Sequence, residues 1–222
     1  MSTHLREHHS LLAPLERRLL IWIAARLPRR VTSDLLTLLA LSAMALAGAG
    51  FALARFDRRA LWLVMAALLL NWFGDSLDGT LARVRRLERP RYGYYVDHVV
   101  DIVGTTLLMM GLACSGFMTP AIALIVLVAY LLVSAEVYLA TAAGRNFRMS
   151  FAGFGPTELR IVLGAGAYAL FRDPHVRVPA AGDVALFDLG GVVAAAGLAV
   201  ALIAAAIRNT RALARLEPRI SL

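Results

Sequence analysis

The sequence predicts an all-α integral membrane protein: six transmembrane helices preceded by an amphipathic helix lying in the membrane interface. Three observations carry this. The chain is 59% hydrophobic with a mean hydropathy of +0.69, too apolar for an ordinary soluble domain. Several windows reach the roughly 20 apolar residues that a helix needs to cross a bilayer. Most of the charges collect between those windows rather than within them.

The interfacial helix is placed at about 11–27, LLAPLERRLLIWIAARL, where apolar positions recur at helical spacing and Glu16, Arg17, Arg18 and Arg26 interrupt them. Pro28-Arg-Arg-Val-Thr then breaks the pattern. The first span, about 33–53, is rich in Ala and Gly, which lets helices approach closely. The second, about 60–84, reads as apolar to Phe73 and then enters an aspartate-bearing stretch. The third, about 92–112, carries two more aspartates near its start. The fourth covers about 120–142. The fifth, about 156–170, opens on Pro156, a favoured first helical position. The sixth is placed at about 184–207. No repeat, low-complexity tract or linker divides residues 1–222, so one domain is expected.

Net charge is +8, and all 23 basic residues are arginine. In so apolar a chain this points to topology and anionic lipid headgroups, not to nucleic acid. The N-terminal segment, the five arginines from Arg83 to Arg91, Arg145 with Arg148, and the tail with Arg208, Arg211, Arg215 and Arg219 fall on one side. The positive-inside rule makes that side cytoplasmic and puts both termini there. Arg55, Arg58 and Arg59 are the exception. Arg6 and three histidines precede the first apolar run without a small-residue cleavage site, so no removable signal peptide is expected. Cys114, the one cysteine, excludes an intramolecular disulfide and a cysteine metal site. Trp22, Trp62 and Trp72 read as interface or packing residues, and His4, His8 and His9 as solvated ones.

The chemistry gathers at Asp75, Asp78, Asp97 and Asp101. The first two are spaced i, i+3 and the last two i, i+4, so each pair shares one face of its helix. Ionised carboxylates inside a membrane are costly and usually line a cavity or bind a partner. A divalent cation would neutralise them, and dense oxygen ligands suit Mg²⁺, Mn²⁺ or Ca²⁺. One turn beyond the first pair, Gly79 and Ala82 leave the stripe nearly bare, and Arg83 closes it with a permanent cation suited to phosphate. Gly93, Asp97 and Asp101 repeat the pattern, small then acidic. Both pairs are expected near the cytoplasmic ends of spans two and three, facing one another across a hairpin.

The segment Asp75-Ser-Leu-Asp78-Gly79-Thr-Leu-Ala82-Arg83, followed by Gly93-x3-Asp97-x3-Asp101, resembles the defining motif of the CDP-alcohol phosphotransferase family, with all eight residue identities present. Nine residues separate Arg83 from Gly93, where the family usually has seven or eight. The extra one falls in the Val84–Tyr92 loop, already broken by Pro90. The resemblance implies transfer of a substituted phosphate from a CDP-linked donor to a hydroxyl acceptor, with release of CMP. It implies that Asp75, Asp78, Asp97 and Asp101 hold one or two Mg²⁺ or Mn²⁺ ions. Asp101 would also take the proton from the attacking hydroxyl. Gly79, Ala82, Arg83 and Gly93 would contact CDP, and Asp34-Leu-Leu-Thr37 resembles the family's short nucleotide-contacting turn. Family members form homodimers.

Weaker signals bear on the acceptor. Asp97-His98 and Gly155-Pro156-Thr157-Glu158 resemble the choline/ethanolamine phosphotransferase branch, which tilts the expectation toward a CDP-choline or CDP-ethanolamine donor and a diacylglycerol acceptor. The alternative is CDP-diacylglycerol donating to a small polar alcohol such as serine, inositol phosphate or glycerol phosphate. Glu136 interrupts span four near the expected depth of the aspartates. With His98, Arg148 and Glu158 it is a candidate for the acceptor pocket. Arg145, Arg148 and Arg160 are candidates for a basic pocket taking a phosphorylated acceptor or lipid headgroup, though topology also explains the first two. The competing class, a divalent-cation transporter, explains the acids but not Gly79, Ala82, Arg83 and Gly93.

Overall fold

The structure, a computed structural model, describes residues 13–143, 156–179 and 182–217, with the side chains of 13–16 and 156–158 outside that description. The helices are α1 (Ala13–Arg26), α2 (Ser33–Ala54), α3 (Ala60–Val84), α4 (Pro90–Cys114), α5 (Pro120–Ala142), α6 (Pro156–Ala169) and α7 (Leu186–Leu216). Among the described residues, five of these are long and apolar enough to span a bilayer, not six. The exception is α6. Its 14 residues rise about 21 Å at 1.5 Å each, short of the roughly 30 Å hydrocarbon core. The chain is a multi-pass membrane protein. Leu124, Ile125, Val193 and Val200 are among the apolar side chains left more than half exposed, as lipid-facing helices require.

The helices are not the whole of it. The connection between α6 and α7 contains an antiparallel hairpin, β1 (His175–Val178) paired with β2 (Gly182–Ala185). Its alternating Val and polar residues suit a half-exposed ladder better than coil. The hairpin leads into α7, which runs past 207 to Leu216 and so carries Arg208, Arg211 and Arg215 on a helix.

The central element is α2, which packs on both α3 and α4, while those two barely approach each other. Glycines allow it. A Cβ on Gly111 of α4 would fall on the backbone of Gly48 in α2, and one on Gly48 would meet the carbonyl of Leu107. On the other side, a Cβ on Gly74 of α3 would sit 2.7 Å from the carbonyl oxygen of Leu36. Bare positions at both crossings bring backbones into contact, as the small-residue content of span one implies. Around them, α4 packs on α5, α5 on α7, α3 on α6 and α1 on α3. One apolar core holds Phe51, Leu61, Leu112, Leu170 and Phe187. A second, at the aspartate end, holds Leu20 and Ala24 of α1 with Leu36, Leu77 and Leu81. In the turn between α2 and α3, Arg58 donates to the carbonyl of Leu170 at 3.4 Å. That contact gives an arginine a structural reason to sit at the end away from the aspartates.

The turn between α3 and α4 closes in a left-handed conformation. Leu87 N–H donates to Ala82 O (2.9 Å) and Arg86 N–H to Arg83 O (3.1 Å), with Arg86 at φ +56°. This is a Schellman cap whose left-handed position is normally glycine. Arg86→Gly is therefore expected to stabilise the fold by up to about 1 kcal/mol, the relieved Cβ strain less the added unfolded-state freedom. Thermal unfolding in detergent checks this as a small rise in midpoint. Arg85 ties the same turn to the α1–α2 connection, donating to the carbonyls of Val31 (2.5 Å), Leu27 (3.0 Å) and Pro28 (2.9 Å).

Candidate active site

Antiparallel packing brings the start of α2, the end of α3, the starts of α4 and α6 and the end of α5 to one pole of the bundle. Asp78 is the best-fixed acid there. Thr37 donates to its Oδ2 (2.7 Å), its own neighbour Gly79 donates to Oδ1 (2.5 Å), and Ser33 donates to its backbone carbonyl (2.9 Å). Two α2 hydroxyls one turn apart thus grip α3 at its acidic turn. Asp75 and Asp97 lie close enough for their charges to act on Asp78. α3 and α4 are each laid on α2 and barely touch one another.

Asp75 is engaged from a direction the sequence did not signal. Arg160 of α6 donates through Nη2 to Asp75 Oδ2 at 2.6 Å and through Nε to Asn71 Oδ1 at 2.7 Å. Asn71, only 6% exposed, donates in turn to the carbonyl of Ala40 at 3.0 Å. The run from Ala60 to Phe73 is therefore not purely apolar. An amide four residues before Asp75 was the signal that could have found this contact. Arg160, weighed as part of a basic pocket with Arg145 and Arg148, is instead spent on α3; the other two lie outside the described residues.

On α4, Asp97 is partly buried and Asp101 exposed. His98 packs between the rings of Tyr94 and Tyr138, at centroid distances of 4.1 and 5.0 Å, with Nδ1 3.6 Å from Asp97 Oδ2. Tyr130 of α5 lies within electrostatic reach of Asp101. The residue set expected around CDP is open. Nothing lies within 4 Å of where a Cβ on Gly93 would be, and above Gly79 the nearest atoms belong to the Arg83 guanidinium, 3.7 Å away. Ala82 follows on the same stripe, and Arg83 donates to Thr80 Oγ1 at 3.2 Å. Asp34 accepts a 2.5 Å hydrogen bond from Arg89. That bond holds the Arg89 guanidinium above its usual protonation range.

Not every candidate converges. Glu136 turns to α7, where its Oε1 accepts from Asn209 at 2.6 Å, and it is not brought to the aspartates. The reason is helical phase: Tyr138 meets His98 of α4, and Glu136, two residues before it, lies on the far side of α5. Arg148 and Gly155 fall outside the described residues. So does the side chain of Glu158, whose backbone lies in the first turn of α6.

Whether these residues suit a divalent cation can be judged from the donors. All four carboxylates are hard oxygen ligands of the kind divalent cations prefer. Among the described residues no three acidic, histidine or cysteine side chains form a group that could hold a metal ion. The set fits a cation in the chemistry of its donors.

Known proteins bear on this arrangement. The family model described as CDP-alcohol phosphatidyltransferase matches residues 30–207. No curated protein sequence matches the chain. Among solved structures, Mycobacterium tuberculosis phosphatidylinositol phosphate synthase, crystallised with CDP-DAG bound, superposes with a TM-score of 0.57 at 19% identity. The match covers 92% of this chain and 100% of that one. At that identity the likeness is one of fold. Since the family match takes in all four aspartates, the chain belongs to the CDP-alcohol phosphatidyltransferase family and is a membrane-embedded transferase of phospholipid biosynthesis, not a cation transporter.

Proposed function

We propose that the enzyme transfers a phosphatidyl group from CDP-diacylglycerol to the hydroxyl of a small polar alcohol, releasing CMP at the cytoplasmic face. The observation that carries the site is the Ser33–Thr37 grip on Asp78, which seats α3 beside the α4 acids on a shared wall. Support for the donor comes from the family's description as phosphatidyltransferases and from the CDP-DAG held by the fold neighbour. This replaces the expectation of a CDP-choline or CDP-ethanolamine donor. Of the residues behind that expectation, His98 is taken up in ring packing, and Gly155 and the Glu158 side chain lie outside the described residues.

In this reading Asp75, Asp78, Asp97 and Asp101 would hold one or two Mg²⁺ or Mn²⁺ ions. When bound, the cation supplies charge to offset that developing on the bridging phosphate oxygens. The chain's own residues supply position. Arg83 grips a phosphate of CDP from one side, and Gly79, Ala82 and Gly93 leave bare wall for the nucleotide to lie against. Asp34 and Thr37 border it from α2. Asp101, the most exposed of the four acids, accepts the proton of the attacking hydroxyl. Arginines at this pole face the anionic leaflet and place both termini inside. The acceptor enters beside α4 and α6, with His98 its proposed neighbour on α4 and Glu136 not; Arg148 and Glu158 are proposed for the acceptor from the sequence alone. Residues 1–222 act as one domain, paired as a homodimer.

The test is CMP release by purified protein supplied with Mn²⁺ or Mg²⁺ and a panel of CDP-linked donors and alcohols. Release with CDP-diacylglycerol and a polar alcohol is the expected result. Release only with CDP-choline or CDP-ethanolamine plus diacylglycerol would reverse the assignment of donor and acceptor.

A further inference from the structure

The structure places a cation of its own among the acids, and its geometry is unusually specific. Arg160 reaches from α6 with its side chain only 14% exposed. It grips two acceptors on α3 one turn apart, Asn71 and Asp75. Nε and Nη2 are held in one plane by the guanidinium, so the two bonds together fix both the arginine and the carboxylate it touches. Asn71 cannot swing to follow, because its amide is anchored to the α2 carbonyl of Ala40. The chain of contacts runs α2, α3, α6 and ends on a carboxylate.

A carboxylate has two oxygens and about four lone-pair sites. Arg160 occupies Oδ2 of Asp75; the other oxygen remains for a second ligand. We propose that Arg160 is a positioning residue for the cation site: it holds Asp75 by one oxygen so that the other is presented to an ion shared with Asp78 and Asp97. This role rests on the reaction proposed above. Outer partners of this sort orient ligands, and their loss typically weakens metal binding by about 10–100-fold. A lysine in the same place would keep the charge, but a single ammonium cannot span Asn71 and Asp75 in one rigid plane.

The experiment is Mn²⁺ titration of metal-stripped, full-length protein, followed by electron paramagnetic resonance, on wild type, Arg160→Lys and Arg160→Gln. CMP release is measured in parallel across Mn²⁺ and alcohol concentrations. Arg160→Gln is expected to bind Mn²⁺ about 10–100-fold more weakly, to recover most of its turnover at saturating Mn²⁺, and to keep the wild-type KM for the alcohol. Arg160→Lys is expected to fall between. Wild-type or tighter Mn²⁺ affinity in Arg160→Gln overturns the proposal. So does a defect confined to the alcohol KM, which would make Arg160 a substrate contact instead. If Arg160→Gln fails to fold, Arg160→Lys decides: undiminished Mn²⁺ affinity overturns the proposal, and severalfold weakening supports it. Wild-type protein that binds no Mn²⁺ would undo the reaction itself, a result separable from normal wild-type binding with no effect of the variants.

Discussion

Asp101→Asn is expected to reduce CMP release by about 10²–10⁴-fold, the usual contribution of a positioned general base, while Mn²⁺ binding falls far less than turnover does. The argument is one of placement. Asp78 accepts from Thr37 and Gly79, and Asp75 from Arg160; Asp101 lies exposed one turn beyond Asp97 and is the acid proposed above to meet the incoming hydroxyl. Asparagine keeps its size and one ligating oxygen but cannot take a proton at neutral pH. Asp78→Asn provides the contrast. It removes charge from the fixed centre of the set, so Mn²⁺ binding and turnover should fall together. Near-normal turnover in Asp101→Asn would mean that another group accepts the proton.

The second large effect is structural. Gly111→Val is expected to cost about 3 kcal/mol or more, above the usual range for overpacking, because its Cβ would land on backbone rather than on a side chain able to rotate away. The obstructing atoms are the carbonyl and Cα of Gly48. To admit them, α2 and α4 must part, and with them the wall on which both acidic stripes are laid. Thermal unfolding in detergent should show a drop of several degrees, with CMP release lost. Gly197→Ala is the control. It lies in α7 with nothing within 4 Å of its added Cβ, so it should be neutral or stabilise by about 1 kcal/mol through helix propensity. Equal losses at the two positions would show that the α2–α4 crossing is not what the glycine protects.

The division between legible and hidden features follows the range of the forces involved. The bounds of α3 and α5 can be read directly, since Ala60–Val84 and Pro120–Ala142 are set by apolar runs, a proline start and flanking charge. The eight motif residues are equally local, because i, i+3 and i+4 spacings fix which side chains share a face whatever surrounds them. The hairpin at 175–185 is local too, but four-residue strands carry too few alternations to stand out from a loop. The sequence predicts six spans and five qualify among the described residues, because the described part of the fifth, Pro156–Ala169, has 14 residues.

The side chains offered for the site were legible in the order of amino acids alone: four acids, a bare stripe and an arginine at helical spacing on a membrane chain. Which partners hold those acids was decided only by the packing. Backbone contact at Gly48, Gly74 and Gly111 makes α2 the shared wall, and leaves α3 and α4 barely touching. The same packing carries Arg160 across 85 residues of sequence to Asp75 and turns Glu136 away to Asn209. Helical periodicity is encoded within a few residues, whereas the choice of neighbouring helix depends on distant small residues acting together.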